Sequence, residues 1–309
     1  MPSVLEIELI RLRAMTASDK AAVVRWLVLA LTIMSCTLST PSTVTRSAWT
    51  QVWSDEFNGP AGARVDSLKW SYDTADGCQV GICGWGNDEK EYYTSAPENV
   101  ALNGRGQLAI SVRTAPAGMS CHYGPCRYTS ARIKTKGKMN AQPGRVEARI
   151  KLPAGQGLWP GFWMLGSNYP ATSWPQCGEL DVMENHGSNP RETSSAIHGP
   201  GYFGKTPFAQ GYTLPAGSFS GDFHTFAVEW DSLRVRFYVD DRRHYTIARA
   251  DVERSGAWVF NQPFFILLNL AIGGTFDGDP QSDAILPATM LIDYVRVYTP
   301  SRDYTEPRP

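Results

Sequence analysis

Residues 145–152 read RVEARIKL, with Val146, Ala148, Ile150 and Leu152 in one phase and Arg145, Glu147, Arg149 and Lys151 in the other. Side chains alternate between the two faces of a strand, so this segment predicts a strand with one face in a core and the other in water. Similar short runs recur at 51–57, 107–113, 129–138, 192–198, 224–230, 234–247, 264–271 and 291–298, separated by Gly, Pro, Asn and Asp clusters. Beyond residue 48 no window of ten or more residues carries helical periodicity. The pattern predicts an all-β chain of two packed antiparallel sheets with no second domain. At 309 residues and 42% hydrophobic, the chain can bury one such core.

The first 48 residues break the pattern. Arg11, Arg13, Lys20 and Arg25 precede the apolar run WLVLALTIM at 26–34, and a Ser/Thr/Pro stretch follows. Nine apolar residues fall short of the roughly 18 needed to cross a bilayer, so residues 1–48 read as a cleaved export leader and not as a membrane span. Cys36, after Ile33, Met34 and Ser35, completes a loose lipobox and offers a lipid-anchored cell-surface form beside free secretion. Residues 49–300 are then the working domain and 301–309 a polar tail. The leader holds five Lys/Arg and three Asp/Glu, so 24 basic residues face 27 acidic ones in the remainder. The basic residues are scattered and no nucleic-acid motif occurs, which argues against a DNA or RNA partner.

Five cysteines remain beyond the leader. CQVGIC at 78–83 and CHYGPC at 121–126 share a spacing that would suit a metal cluster in a cytosolic chain; in an exported one it reads as two local disulfides. Cys177 is left over as a buried thiol.

A sheet face can serve as a trough for a long polymer, and three aromatic-rich stretches could line it: WGNDEKEYY at 85–93, GLWPGFWMLG at 157–166 and SWP at 173–175. Nine tryptophans lie outside the leader. Their flat apolar faces can stack on sugar rings or simply pack in the core; Trp53 and Trp230 fit the core, whereas Trp159 and Trp163, flanked by Gly and Pro, fit a platform.

The segment GELDVMENHG at 178–187 carries three acids. Glu179 and Asp181 share a face, and taken alone they could be the wet side of an ordinary strand. Plain alternation sends Glu184 to the opposite face, unless Val182 or Met183 is absorbed in a β-bulge. With the bulge, two glutamates flank an aspartate on one face. Glycoside cleavage needs two carboxyls facing one cleft, one protonated and one ionised, about 5 to 5.5 Å apart if a covalent sugar intermediate forms, and a middle acid would keep their protonation states apart.

GELDVME resembles the bulged signature of the family-16 glycoside hydrolases. WSDEFNG at 53–59, WGNDEKEYY, YTSARIKTKGK at 128–138, GRVEARIKLPAGQGLWPGFWMLG at 144–166, IHGPG at 197–201, FHTFAVEW at 223–230 and NLAIGG at 269–274 are similar to the bacterial endo-1,3-β-glucanases, or laminarinases, of that family. The resemblance implies a concanavalin-like β-jelly-roll sandwich with a concave cleft, a monomer, and retaining hydrolysis of β-1,3-glucan polysaccharide with no cofactor for the chemistry. It assigns Glu179 as nucleophile, Glu184 as general acid and base, and Asp181 as the acid that tunes them. Asn87 and Arg132 match sugar-binding positions, Trp159, Trp163 and Trp174 match stacking platforms, and His198 matches a cleft histidine; His186 is a weaker candidate.

Mixed-linkage glucan, a galactan, or glucan binding without turnover remain alternatives. The last is disfavoured because both glutamates are present. The sequence departs from the family where relatives often carry Asn-Trp after NLAIGG: here Thr275 and Phe276 follow. Asp293, in phase with Val295 and Val297, is expected to point inward, where a carboxylate needs a partner. The resemblance supplies one, a structural calcium held by Glu56, the Gly106 carbonyl and Asp293.

Overall fold

The computed structural model describes residues 48–301. The expected leader, the lipobox at Cys36 and the tail from 302 onward lie outside the described residues. Among those described, no helix is long and apolar enough to cross a membrane.

Two sheets enclose a common core. In the first, the strands run in the order Phe208–Thr213, Glu192–His198, Glu179–Glu184, Leu158–Gly166, Phe264–Ile272, Arg132–Lys134 and Ser71–Asp73, every neighbouring pair antiparallel. The second runs Arg242–Ala248, Arg234–Val239, His224–Trp230, Arg145–Lys151, Ala288–Pro300, Leu108–Thr114, Tyr128–Ser130 and Glu91–Tyr93. Trp49–Asp55 and Val100–Leu102 pair alongside it. The short Glu91–Tyr93 and Tyr128–Ser130 pair is parallel, an exception to the antiparallel expectation. Inward residues of both sheets, including Val146, Ile150, Phe162, Leu180, Phe237 and Ile266, are fully buried together.

The alternation of 145–151 holds for the core, where Val146, Ala148 and Ile150 are sealed. It fails for water on the other face. Arg145 and Glu147 are also buried, because Arg145 donates to Glu147, Glu229 and Asp241 at 3.0, 3.0 and 3.2 Å, and Tyr298 donates to Glu147. The run at 129–138 is two short strands: Tyr128–Ser130 belongs to the second sheet and Arg132–Lys134 to the first, with the buried Ala131 at the crossing. The run at 234–247 folds back on itself at Asp240 and Asp241, whose φ of 50° and 61° is the left-handed pair that a two-residue hairpin demands. Leu158–Gly166, foreseen as a lining stretch, is itself a central strand, disguised by its proline and two glycines.

Both cysteine pairs form disulfides, Cys78 with Cys83 and Cys121 with Cys126, and Cys177 is a buried free thiol. Burial pushes the Cys177 thiol up to about 11, which keeps it protonated and unreactive.

Candidate active site

The strand Glu179–Glu184 contains the bulge. Against Leu158–Gly166, Met183 pairs with Phe162 and Asp181 with Trp163, leaving Val182 as the extra residue. Against Glu192–His198, three steps from Asp181 to Glu184 match two from Ala196 to Ser194. Val182 and Met183 both enter the core, with Leu180. Two successive inward residues reverse the phase, so Glu184 returns to the side of Glu179 and Asp181, on the sheet face turned away from the core.

Neighbouring strands supply the partners of the acids. Trp159 Nε1 donates to Glu184 Oε1 at 3.0 Å. His198, directly opposite Glu179 in register, places Nε2 3.2 Å from Asp181 Oδ2 and 3.9 Å from Glu179 Oε1. Its Nδ1 accepts the Gly204 N–H at 3.2 Å, so in the neutral ring the proton sits on Nε2 and faces the acids. Trp174 stands beside Glu179 and favours its ionised form, lies 6.1 Å from the His198 ring and meets Phe203 edge to face; both aromatics are well exposed. Gly161 stands opposite Glu184 on one side and Asn269 on the other, and a Cβ there would meet Asn269 Oδ1 at 2.9 Å. Its bare backbone leaves room between Glu184 and the Trp163–Asn269 pair.

No guanidinium or ammonium reaches this trio among the described residues. Burial, then repulsion from Asp181, pushes Glu184 up to about 8, opposed by His198 and the Trp159 hydrogen bond. Burial likewise raises Asp181 to about 8. Glu179 is raised by burial and by Asp181, while His198 and Trp174 favour its ionised form. A group of this kind holds fewer than three charges at neutral pH.

A second group lies on the same face. Arg132 donates through Nε to Asp73 Oδ2 at 2.8 Å, and its guanidinium packs 3.7 Å from the Trp85 ring centre, with Tyr93 and Trp163 further out at 5.3 and 5.9 Å. Burial alone would raise Asp73, but Arg132 and Lys134 outweigh it and hold the carboxyl low. Asn87 donates to Glu89, Tyr93 donates to Glu89, and Asn269 bridges Tyr93 to the Trp163 indole. The loop carrying Asn87 is thereby tied to the strand carrying Trp163.

Residues 87–296 match the family described as glycosyl hydrolases family 16. The chain belongs to that family. It is 38% identical to a beta-glucanase of Rhodothermus marinus over 260 residues, which is 81% of this chain and 85% of the relative. The laminarinase catalytic domain of Thermotoga maritima superposes with a TM-score of 0.77 at 42% identity, covering 82% of this chain and 99% of that one. The endo-beta-1,3-glucanase of Pyrococcus furiosus gives 0.77 at 43% identity, with 82% and 95% covered. The sandwich is therefore the family-16 jelly roll, and the protein is a glycosidase.

All nine acid and sugar-binding positions foreseen in this family-16 chain lie in two linked groups, Glu179, Asp181, Glu184, His198, Trp159 and Trp174 in one, Asn87, Arg132 and Trp163 in the other. Asn269, Asp73, Glu89 and Tyr93 were missed, although NLAIGG and WGNDEKEYY contain three of them. Of the set expected to hold calcium, Asp293 does not point inward. Between the pairs Arg149–Tyr294 and Ile150–Ile292, Asp293 is the extra residue of a bulge, so it turns out of the core and pairs with Arg149 at 2.7 Å. Glu56 gives both carboxylate oxygens to Arg296, whose hydrogen bonds hold it below the usual carboxylate range. Gly106 sits in a turn at φ 73° beside Asn58. Both acids have cationic partners, Glu56 in Arg296 and Asp293 in Arg149. Among the described residues the one grouping of three ligand-type side chains is Glu179, Asp181 and His198.

Proposed function

We propose that the protein is a secreted, monomeric, endo-acting hydrolase of β-1,3-glucan that works by double displacement with retention. The bulge carries this reading, because it sets Glu179 and Glu184 on one face with Asp181 between them. Glu179 attacks the anomeric carbon as the glycosidic C–O bond breaks, and Glu184 gives its proton to the leaving oxygen. Water then attacks the same carbon, Glu184 takes a proton from it, and the bond to Glu179 breaks. A carboxyl raised to about 8 is protonated at neutral pH, as the acid step requires. As nucleophile Glu179 must give up its proton, and His198 and Trp174 are the groups that favour its ionised form against burial and the charge of Asp181. Arg132, Asn87, Trp85 and Trp163 bind sugar on one side of the cleavage point, and the exposed Trp174 and Phe203 offer a further platform. Export is supported by the apolar leader and the two disulfides, and residues 49–300 act as the catalytic domain.

The substrate is supported by the relatives named above and by the bulge, which is typical of the laminarinase side of the family. Proton NMR of the first products from laminarin tests the chemistry: the β-anomer is expected, and early α-anomer would overturn the assignment. Product analysis on laminarin, lichenan and agarose side by side tests the substrate, with laminarin cleaved fastest.

A further inference from the structure

The loop after NLAIGG, where Thr275 and Phe276 replace the usual pair, has an unassigned arrangement. The Phe276 ring is inserted between Trp159, with centroids 4.4 Å apart and planes 13° apart, and His186, at 3.9 Å and 28°. The next residue, Asp277, has a side chain only 4% exposed. It accepts the Gly157 N–H at 2.8 Å, the Ser188 N–H at 3.0 Å and the Ser188 hydroxyl, and it faces His186 Nδ1 at 3.5 Å. Gly157 precedes Trp159 by two residues, and Ser188 follows Glu184 by four. The loop thus clasps the two chain segments on which the Trp159–Glu184 hydrogen bond depends.

We propose that Phe276 and Asp277 are positioning residues for Glu184, acting through the Trp159 indole, whose N–H they hold on Glu184 Oε1. This rests on the role given to Glu184 above. Stacked on one face by Phe276 and carried on a segment anchored at Gly157 through Asp277, the indole is braced in the orientation that points its N–H at the carboxyl. A hydrogen bond donated to a carboxylate favours the ionised form. It offsets part of what burial and Asp181 do to Glu184. The other groups facing Glu184 are Asp181 and Glu179 on its own strand and His198 on the neighbouring one; His186 and Asp277 face each other across the stack. The clasp therefore keeps the carboxyl able both to give its proton and to take one back.

The test is the pH dependence of kcat/KM. Its alkaline limb reports loss of the proton from Glu184. Phe276→Ala is expected to move that limb upward by about one pH unit and to lower kcat several-fold, as Trp159→Phe should by removing the N–H alone. The double variant should move the limb no further than either single one, and Phe276→Trp should restore it. If Phe276→Ala fails to fold, Phe276→Leu and Asp277→Asn read the same limb. An activity loss with the limb unmoved, or shifts that add in the double variant, would overturn the proposal. Glu184→Gln separates this outcome from failure of the underlying role: a near-dead Glu184→Gln with an unmoved limb in Phe276→Ala removes the clasp alone.

Discussion

Two clusters of buried or half-buried acids sit on the outward faces of the two sheets, and they differ in the partners around them. Glu147 and Glu229 are held by Arg145, with Arg236, Tyr238 and Tyr298 closing the remaining positions. Glu179, Asp181 and Glu184 have only an imidazole and two indoles. A buried carboxylate with a guanidinium beside it stays charged and inert. One without such a partner holds its proton and can exchange it with a substrate. The contrast separates the scaffold from the chemistry together with burial, since Glu147 and Glu229 are sealed whereas Glu179 and Glu184 are only half-buried.

The largest effect that tests this contrast is on turnover. Glu179→Gln and Glu184→Gln should each lower kcat on laminarin by about a thousandfold or more, with circular dichroism and melting unchanged or improved. Unfolding of these variants would place the trio with the scaffold. Arg145→Met makes the opposite test. It leaves Glu147 and Glu229 buried without their cation, so denaturant unfolding should show a loss of about 3–5 kcal/mol, while activity per folded molecule is retained. A variant that stays stable but loses activity would erase the distinction.

The smallest effect is in the pH dependence of stability. Asp181 and Glu184, raised to about 8 in the fold, titrate near 4 when unfolded. Between those values the native state binds more protons than the unfolded one, so stability falls as pH rises through the window. Glu184→Gln removes part of that slope. Its melting temperature should exceed the parent's by up to about 10 °C at pH 8, with the gap closing toward pH 4. A gap that is constant with pH would mean that charge in the trio carries no penalty.

The legibility of the sequence follows the same division. Alternation in RVEARIKL located a core strand, but it could not show that Arg145 and Glu147 would be covered, because their partners Glu229 and Asp241 lie more than 80 residues away. The bulge at Val182 was readable because three acids needed a common face. The bulge at Asp293 was not: nothing in LIDYVRV signals one, and the period-2 argument that succeeded once therefore sent Asp293 to the wrong side. The strand Leu158–Gly166 was hidden by Pro160 and its glycines, residues that ordinarily argue against a central strand. Gly161 is needed there for the space it leaves. The stack of His186, Phe276 and Trp159 joins three distant segments and left no local trace.

The crossing at Ala131 has a mechanical consequence. Tyr128–Ser130 is hydrogen-bonded into one layer and Arg132–Lys134 into the other, so the single residue Ala131 couples them. The Ser130 hydroxyl and the Ala131 carbonyl both bond Leu270 of the opposite layer, pinning the step from the side. Any sliding of one layer over the other must stretch this covalent link. Arg132, one residue past the pin, cannot drift from the strand it borders, and a long polymer pulling along the face loads both layers together.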